Sequence, residues 1–145
     1  MYMNIPNSEK IYIYEREKKK CFYCGKNLKF RQITLDHYLP KSKGGTEDIF
    51  NLVLSCRKCN RLKGNKIPRN YERKIIKLFQ KAFYDKMIKI GNIIVSKEDL
   101  KEEILNIDRI EEIRPNFVFQ SKHMRFYIKN NTIERIILLG GKHED

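Results

Sequence analysis

Within residues 21–60 the chain places every cysteine it has. They form Cys21-Phe22-Tyr23-Cys24 and Cys56-Arg57-Lys58-Cys59, with Asp36-His37 and Asn51 between the pairs and Asn60 directly after the second. Two cysteines two residues apart on a tight knuckle can aim both thiolates at one ion. Two such knuckles complete a tetrahedron around Zn²⁺, with Zn–S near ~2.3 Å. Four thiolates leave no open coordination position, so this zinc is expected to be structural. Its binding can supply on the order of 10 kcal/mol to the folding of a loop-rich unit. Gly25, directly after the first knuckle, suits the positive φ such a turn needs. The knuckles are separated by 31 residues, Gly25 to Ser55, more than a simple zinc ribbon uses, so the space between them carries an insert. No βαβ pattern surrounds either pair, which excludes a thioredoxin-like redox reading.

The insert holds the parts that phosphodiester hydrolysis requires: an activated water, neutralised phosphate charge and a stabilised departing alkoxide. His37, with an ordinary pKa near ~6.5, is the natural general base at neutral pH. Asp36 offers a hard anionic oxygen and Asn60 a neutral one, a donor pair that suits Mg²⁺ or Mn²⁺ better than Zn²⁺. Alternation along a strand sends Asp36 and His37 to opposite faces, so they need not compete for one ligand. One metal held by Asp36 and Asn60 would act as Lewis acid at the phosphate and the leaving oxygen, while His37 deprotonates the water from the far side. Taken singly, His37 reads as an ordinary histidine, Asp36 as a solvated carboxylate and Asn51 as a turn residue; their ordered company reverses that. Lys63, one turn beyond Asn60, can reach the phosphate. Arg57, Lys58 and Arg61, with Lys41 and Lys43 in the loop, read as contacts to the nucleic-acid backbone.

In order, the residues Cys21-x-Tyr23-Cys24-Gly25, Asp36-His37-x-x-Pro40, Gly44-Gly45, Asn51-Leu52 and Cys56-x-x-Cys59-Asn60-x-x-Lys63-Gly64 resemble the HNH endonuclease family, over about residues 21–66. The third signature position is Asn60 rather than His, the H-N-N version of the pattern. The resemblance implies a ββα-metal fold: two strands, a long loop, and a helix bearing Asn60. It implies the same single-metal arrangement, with Asn51 bracing the loop so that His37 stays oriented. It also implies cleavage of DNA that leaves a 5′ phosphate and a 3′ hydroxyl. Placing Asn60 directly after Cys59 lets the zinc knuckle anchor a metal ligand.

The charge agrees with a polyanionic partner. Residues 1–70 hold 16 Lys/Arg against 6 Asp/Glu, whereas residues 71–145 hold 15 against 12, within a net charge of +13. The surplus lies in the cysteine-bearing half, where nucleic acid would approach; double-stranded DNA is the expected partner, bound by a monomer or a homodimer. The start, Met1-Tyr2-Met3-Asn4-Ile5-Pro6, has neither the basic nor the apolar region of a signal peptide. The longest purely aliphatic stretch, Ile136 to Leu139, is far short of the ~20 residues a membrane span needs. A cytoplasmic location is expected, where paired C-x-x-C motifs read as metal ligands rather than disulfides.

These residues need elements to position them. Ser8 can cap a helix over Lys10–Lys20, although the alternation of Ile11 and Ile13 with Tyr12 and Tyr14 equally permits a strand. A strand is expected near Gln32–His37, then a long loop marked by Pro40 and Gly44-Gly45, a strand at Leu52–Leu54, and a helix. Beyond Pro68, apolar residues from Tyr71 to Met87 recur at helical spacing and predict an amphipathic helix over Tyr71–Ile90, ended by Gly91-Asn92, with Lys74, Lys77 and Lys81 on its solvated face. Ser96 and Asp99 form a loose capping box for a helix through Asn106. Pro115 ends a helical turn over Arg109–Arg114. Phe117–Gln120, Met124–Lys129 and Ile133–Leu139 read as strands, the last two joined by an Asn130-Asn131 turn. His123 and His143 lack chemical company. The fold class is α+β: a zinc-stapled HNH core over residues 1–70 and a helical plus β-hairpin accessory region over residues 71–145. Two other functions fit the same features. One is a non-catalytic zinc-knuckle module that binds nucleic acid, which leaves Asp36, His37 and Asn60 together unexplained. The other is a nuclease subunit of a larger assembly, docked through its C-terminal region.

Overall fold

The strand carrying Asp36 and His37 is β1 (Thr34–His37), and it pairs antiparallel with β2 (Leu52–Ser55), Asp36 opposite Val53 and His37 opposite Leu52. This is a computed structural model, and it describes residues 4–140. Every residue of β2 is buried, so its Leu-Val-Leu run packs on both faces. Helix α2 (Arg57–Lys63) follows at once, with the Cys56 thiolate position accepting the amide of Cys59 in the manner of an N-cap. The ββα order expected for this stretch is thus present.

In front of it, α1 spans Asn7–Arg16. The expected Ser8 cap is not used, because the Pro6 carbonyl accepts from Glu9 and Lys10 and Ser8 lies inside the first turn. Nor does the helix reach Lys20. The amide of Lys18 bonds the Glu15 carbonyl and that of Lys19 the Tyr14 carbonyl, with φ of 57° and 62° at the two lysines. This is a Schellman ending with lysine in the left-handed position.

Helix α3 (Tyr71–Tyr84) buries Ile75, Ile76, Phe79 and Ala82 and leaves Lys74, Lys77 and Lys81 exposed, as its periodicity predicts. Its end corrects the sequence reading by six residues. Lys86 takes φ 63°, its amide bonds the Phe83 carbonyl, and the Met87 amide bonds the Ala82 carbonyl, a second Schellman ending. Ile88 then turns into the core, and Lys89–Ile90 form β3. Helix α4 (Lys97–Leu105) begins as expected, with Ser96 Oγ accepting from the Asp99 amide at 3.1 Å.

The segment after α4 is a strand, β4 (Arg109–Glu112), not the helical turn expected over Arg109–Arg114. Ile107, Ile110 and Ile113 mimic helical spacing, but the register shifts by one residue between Ile110 and Glu112, and such a bulge converts an alternating pattern into a three-residue one. β5 (Val118–Gln120), β6 (Met124–Lys129) and β7 (Thr132–Leu138) complete a five-stranded sheet in the order β3-β7-β6-β5-β4. All its neighbours are antiparallel except β3–β7. The β6–β7 hairpin turns on Asn130 and Asn131, with φ of 50° and 58°, the backbone that Asn tolerates in tight hairpins.

The two sheets share one core. Phe50, between the metal-site loop and β2, meets Phe79, Phe117 and Phe119 edge-on at 5.2, 5.4 and 5.4 Å, and Phe79 stacks on Phe119 at 4.3 Å. All four rings are fully buried. No helix among the described residues is long and apolar enough to cross a membrane.

Candidate active site and metal centre

The four cysteine sulfurs lie within 4.8 Å of one another, with Cys24 and Cys56 Sγ 4.0 Å apart. A regular Zn–S tetrahedron at ~2.3 Å has edges of roughly 3.8 Å, so the spacing and the all-thiolate donor set fit Zn²⁺. Amides of Tyr23 and Cys56 point at Cys21 Sγ, and that of Cys59 at Cys56 Sγ, each at 3.4 Å. Burial opposes ionisation of Cys21, but hydrogen bonds from the backbone amides of Cys24, Cys56 and Tyr23 outweigh it and lower its thiol to about 6, which favours the thiolate a metal needs. Gly25 takes φ +77° to close the first knuckle.

β1 presents Asp36 and His37 in different surroundings. The Asp36 carboxylate is buried, and its Oδ2 accepts from the Tyr23 hydroxyl at 2.5 Å and meets Lys63 Nζ at 3.2 Å. The same ammonium donates to the His37 carbonyl at 3.0 Å. Burial, and then the Asp36 carboxylate it faces, hold the Tyr23 phenol far above its usual range, so it stays a proton donor. Lys63, expected at a phosphate, instead turns inward, its side chain only 9% exposed. An ammonium on Oδ2 marks that oxygen as a position that accepts cations, and in this respect Asp36 fits a divalent ion.

His37 lies half-buried beside it. Burial lowers its imidazole pKa below the ordinary 6.5, a shift that the Glu47 carboxylate opposes and Lys41 assists. His37 Nε2 is 3.6 Å from Glu47 Oε2, and Lys41 Nζ is 3.8 Å from the same oxygen.

The loop between β1 and β2 is tied by Asn51, which is fully buried. Its Oδ1 accepts from the Leu39 amide at 2.9 Å, and its Nδ2 donates to the carbonyls of Leu39 and Thr46 at 3.1 and 2.8 Å. A Cβ on Gly45 would lie 1.8 Å from the Leu39 carbonyl oxygen, so this tie requires glycine there. On α2, half-buried Asn60 lines a shallow surface depression with Arg57 and Arg61. Arg57, Lys58, Arg61, Lys41 and Lys43 are all exposed. The structure therefore joins Asp36, Lys63 and His37 directly, and Asn60 lies one turn before Lys63 on α2, beside the two arginines.

Three residues receive no role from the sequence, although Tyr23 belongs to the first motif. Tyr23 sits inside the first knuckle and is engaged through Asp36. Glu47 follows the Gly44-Gly45 pair with no signal except its position. The side chain of Arg16 is buried and donates to the Ile49 and Leu52 carbonyls at 3.1 and 2.6 Å, a brace that no local pattern announces. Outside the site, His123 meets Glu103 Oε2 at 3.1 Å on the surface, and His143 lies outside the described residues.

Residues 21–76 match the family model described as HNH endonuclease. The chain is 38% identical over 52 residues to a CRISPR-associated endonuclease Cas9 from Corynebacterium diphtheriae, a match that covers 35% of this chain and 5% of that relative. It also aligns with the crystal structure of the Type II-C Cas9 enzyme from Actinomyces naeslundii at a TM-score of 0.43 and 22% identity, over 70% of this chain and 12% of that one. The chain thus spans a small fraction of the length of the proteins it is similar to. Residues 21–76, with their two cysteine knuckles and the Asp36-His37 strand between them, belong to the HNH endonuclease family.

Proposed function

We propose that the protein is a metal-dependent endonuclease that hydrolyses phosphodiester bonds of DNA, double-stranded in preference, with His37 as general base. The observation that carries this reading is the division of labour on β1. Asp36 turns a buried carboxylate oxygen toward a cation, 3.2 Å from Lys63 Nζ, while His37 next to it keeps an imidazole whose pKa is lowered by burial. That imidazole is a free base at neutral pH. Asp36 and Asn60 would hold Mg²⁺ or Mn²⁺, and Lys63 would cede Asp36 Oδ2 to it. When bound, the ion supplies Lewis acidity and charge neutralisation at the phosphate. His37 takes one proton from water, the water oxygen bonds phosphorus, and the bond to the 3′ oxygen breaks.

The four cysteines hold the structural zinc. Arg57, Lys58, Arg61, Lys41 and Lys43, all exposed around this strand and helix, carry the sequence-independent contact with phosphates. Residues 1–70 supply the chemistry, and residues 71–145 brace the loop that aligns His37. Nicking of supercoiled plasmid with Mg²⁺ tests the proposal. His37→Ala is expected to abolish nicking in a folded, zinc-loaded protein, and unchanged nicking by that variant would sink it.

One observation favours a second form of the same reading. The match covers only 5% of a much longer CRISPR-associated endonuclease, so this unit can work as the cleaving part of a larger assembly. Light scattering on the active species separates the two, since an active monomer argues against the assembly.

A further inference from the structure

His37 Nε2 is the buried side-chain polar atom left without a hydrogen-bond partner among the described residues. A ring nitrogen shut away from water without a partner is costly, so such an atom calls for an explanation. The acidic group beside it is Glu47, whose Oε2 lies 3.6 Å away, slightly beyond hydrogen-bond length. Glu47 is delivered there by a backbone fixed on both sides. The preceding carbonyl, of Thr46, accepts from Asn51 Nδ2 at 2.8 Å, and the following side chain, Asp48, accepts the Asn131 amide at 2.7 Å. Lys41 Nζ holds the same Glu47 oxygen from outside at 3.8 Å. The other ring nitrogen of His37, Nδ1, is not shut away in this manner.

We propose that Glu47 is the positioning residue for His37: its carboxylate accepts the Nε2 proton, fixes the neutral ring in that tautomer, and leaves Nδ1 as the nitrogen that takes the proton from water. The inference rests on the nuclease reading for the chemical step and on geometry alone for the tautomer. In that step a water O–H bond breaks as Nδ1–H forms, the water oxygen's electron pair bonds phosphorus, and the P–O3′ bond breaks with its electrons on the 3′ oxygen, which is protonated by solvent. A carboxylate on the far nitrogen stabilises the imidazolium formed on the way, as an orienting acid does for a histidine base elsewhere. Glu47 is partly exposed, and its ion-pair partners among the described residues are His37 and Lys41, so its replacement is expected to leave the fold intact.

The test uses the full zinc-loaded chain with ¹⁵N-labelled histidine, as wild type, Glu47→Ala and Glu47→Gln. Long-range ¹H–¹⁵N spectra at about pH 8, above an ordinary imidazole pKa, report which ring nitrogen of His37 carries hydrogen. Because a free imidazole already leans toward Nε2–H, the change on mutation is the decisive quantity. Wild type is expected as a single Nε2–H form, with an Nδ1–H population appearing in Glu47→Ala and largely absent in Glu47→Gln, whose amide oxygen still accepts. In plasmid nicking with Mg²⁺, kcat of Glu47→Ala should fall roughly ten- to hundredfold, with KM unchanged and Glu47→Gln recovering part of the loss. An Nδ1–H form in wild type, a spectrum unchanged by Glu47→Ala, or wild-type cleavage by that variant overturns the proposal. Should no form of the chain cleave, the nuclease reading fails while the spectra still decide the tautomer.

Discussion

The side chain of Asn131, at the tip of the β6–β7 hairpin, accepts a 2.6 Å hydrogen bond from the backbone amide of Ile49, 82 residues earlier. Ile49 is fully buried, and it begins the turn that leads through Phe50 and Asn51 into β2. The far end of the chain therefore holds the loop that faces His37. Arg114 does the same at the other side of that loop, with Nη2 donating to the Ser42 carbonyl at 3.0 Å.

Asn131→Gly keeps the left-handed turn and removes the acceptor, along with a long 3.4 Å bond from Asn131 Nδ2 to the partly exposed Glu9 Oε2. The Ile49 amide is then buried without a partner, which costs about 1–3 kcal/mol. Urea unfolding of the zinc-loaded chain should show a loss in that range. Asn130→Gly, which keeps the neighbouring turn residue's backbone freedom and removes no such bond, should be near neutral. Equal losses in the two variants would refute the clasp.

Gly45→Ala should be far more damaging than Gly25→Ala. A Cβ at Gly45 meets the Leu39 carbonyl at 1.8 Å and Asn51 Nδ2 at 2.8 Å, whereas at Gly25 nothing lies within 4 Å and only the positive φ is strained. The first change must push the Asn51 tie apart, for a loss above ~2 kcal/mol. The second costs on the order of 1 kcal/mol. Thermal melts of both variants, loaded with zinc, rank the two directly.

Removing the zinc should disorder the knuckles together. Cys21 and Cys56 are buried, and four thiolates gathered within 4.8 Å repel one another without a cation. A tight chelator under reducing conditions is expected to lower the melting temperature, and Zn²⁺ but not Mg²⁺ to restore it. Full restoration by Mg²⁺ in Asp36→Asn, which weakens the proposed Mg²⁺ site, would mean the cluster is not a thiolate zinc site.

What the sequence reveals here is chemistry and spacing; what it hides is where a chain turns without glycine. The knuckles, Asp36-His37, the Ser96 cap and the Asn130-Asn131 turn are each announced by residue types that do one job locally. The ends of α1 and α3 are not, since Lys18 and Lys86 occupy the left-handed position that glycine usually marks, and lysine also reads as a good helix residue. β4 was hidden by a bulge after Ile110, which leaves Ile110 and Ile113 three residues apart as in a helix. Long-range partners are invisible in the same way: nothing local pairs Tyr23 with Asp36, Glu47 with His37 or Asn131 with Ile49.

The Lys86 ending yields its own measurement. Lys86 is exposed and takes φ 63°, a conformation that costs a residue with a Cβ about 1 kcal/mol relative to glycine. Lys86→Gly should therefore stabilise the chain by roughly 0.5–1 kcal/mol. The same substitution inside α3, at exposed Lys77, should destabilise it by a similar amount. A loss at both positions would contradict the Schellman ending.

Asp48 sets a pH dependence of stability. Burial raises its carboxyl pKa above the ordinary 3.8, against the opposing hydrogen bonds from Thr46 and the Asn131 amide. A group whose folded pKa is raised contributes stability that is fully present below the unfolded value and is lost as pH rises through the folded value. Between 3.8 and that higher folded value, the wild type should therefore lose stability relative to Asp48→Asn, which keeps an oxygen for the Asn131 amide and has no proton to lose. Urea midpoints of the two proteins, measured across this window, should diverge with the variant gaining as pH rises. Parallel midpoints, or a gain by the wild type, would show that the two hydrogen bonds outweigh burial at Asp48.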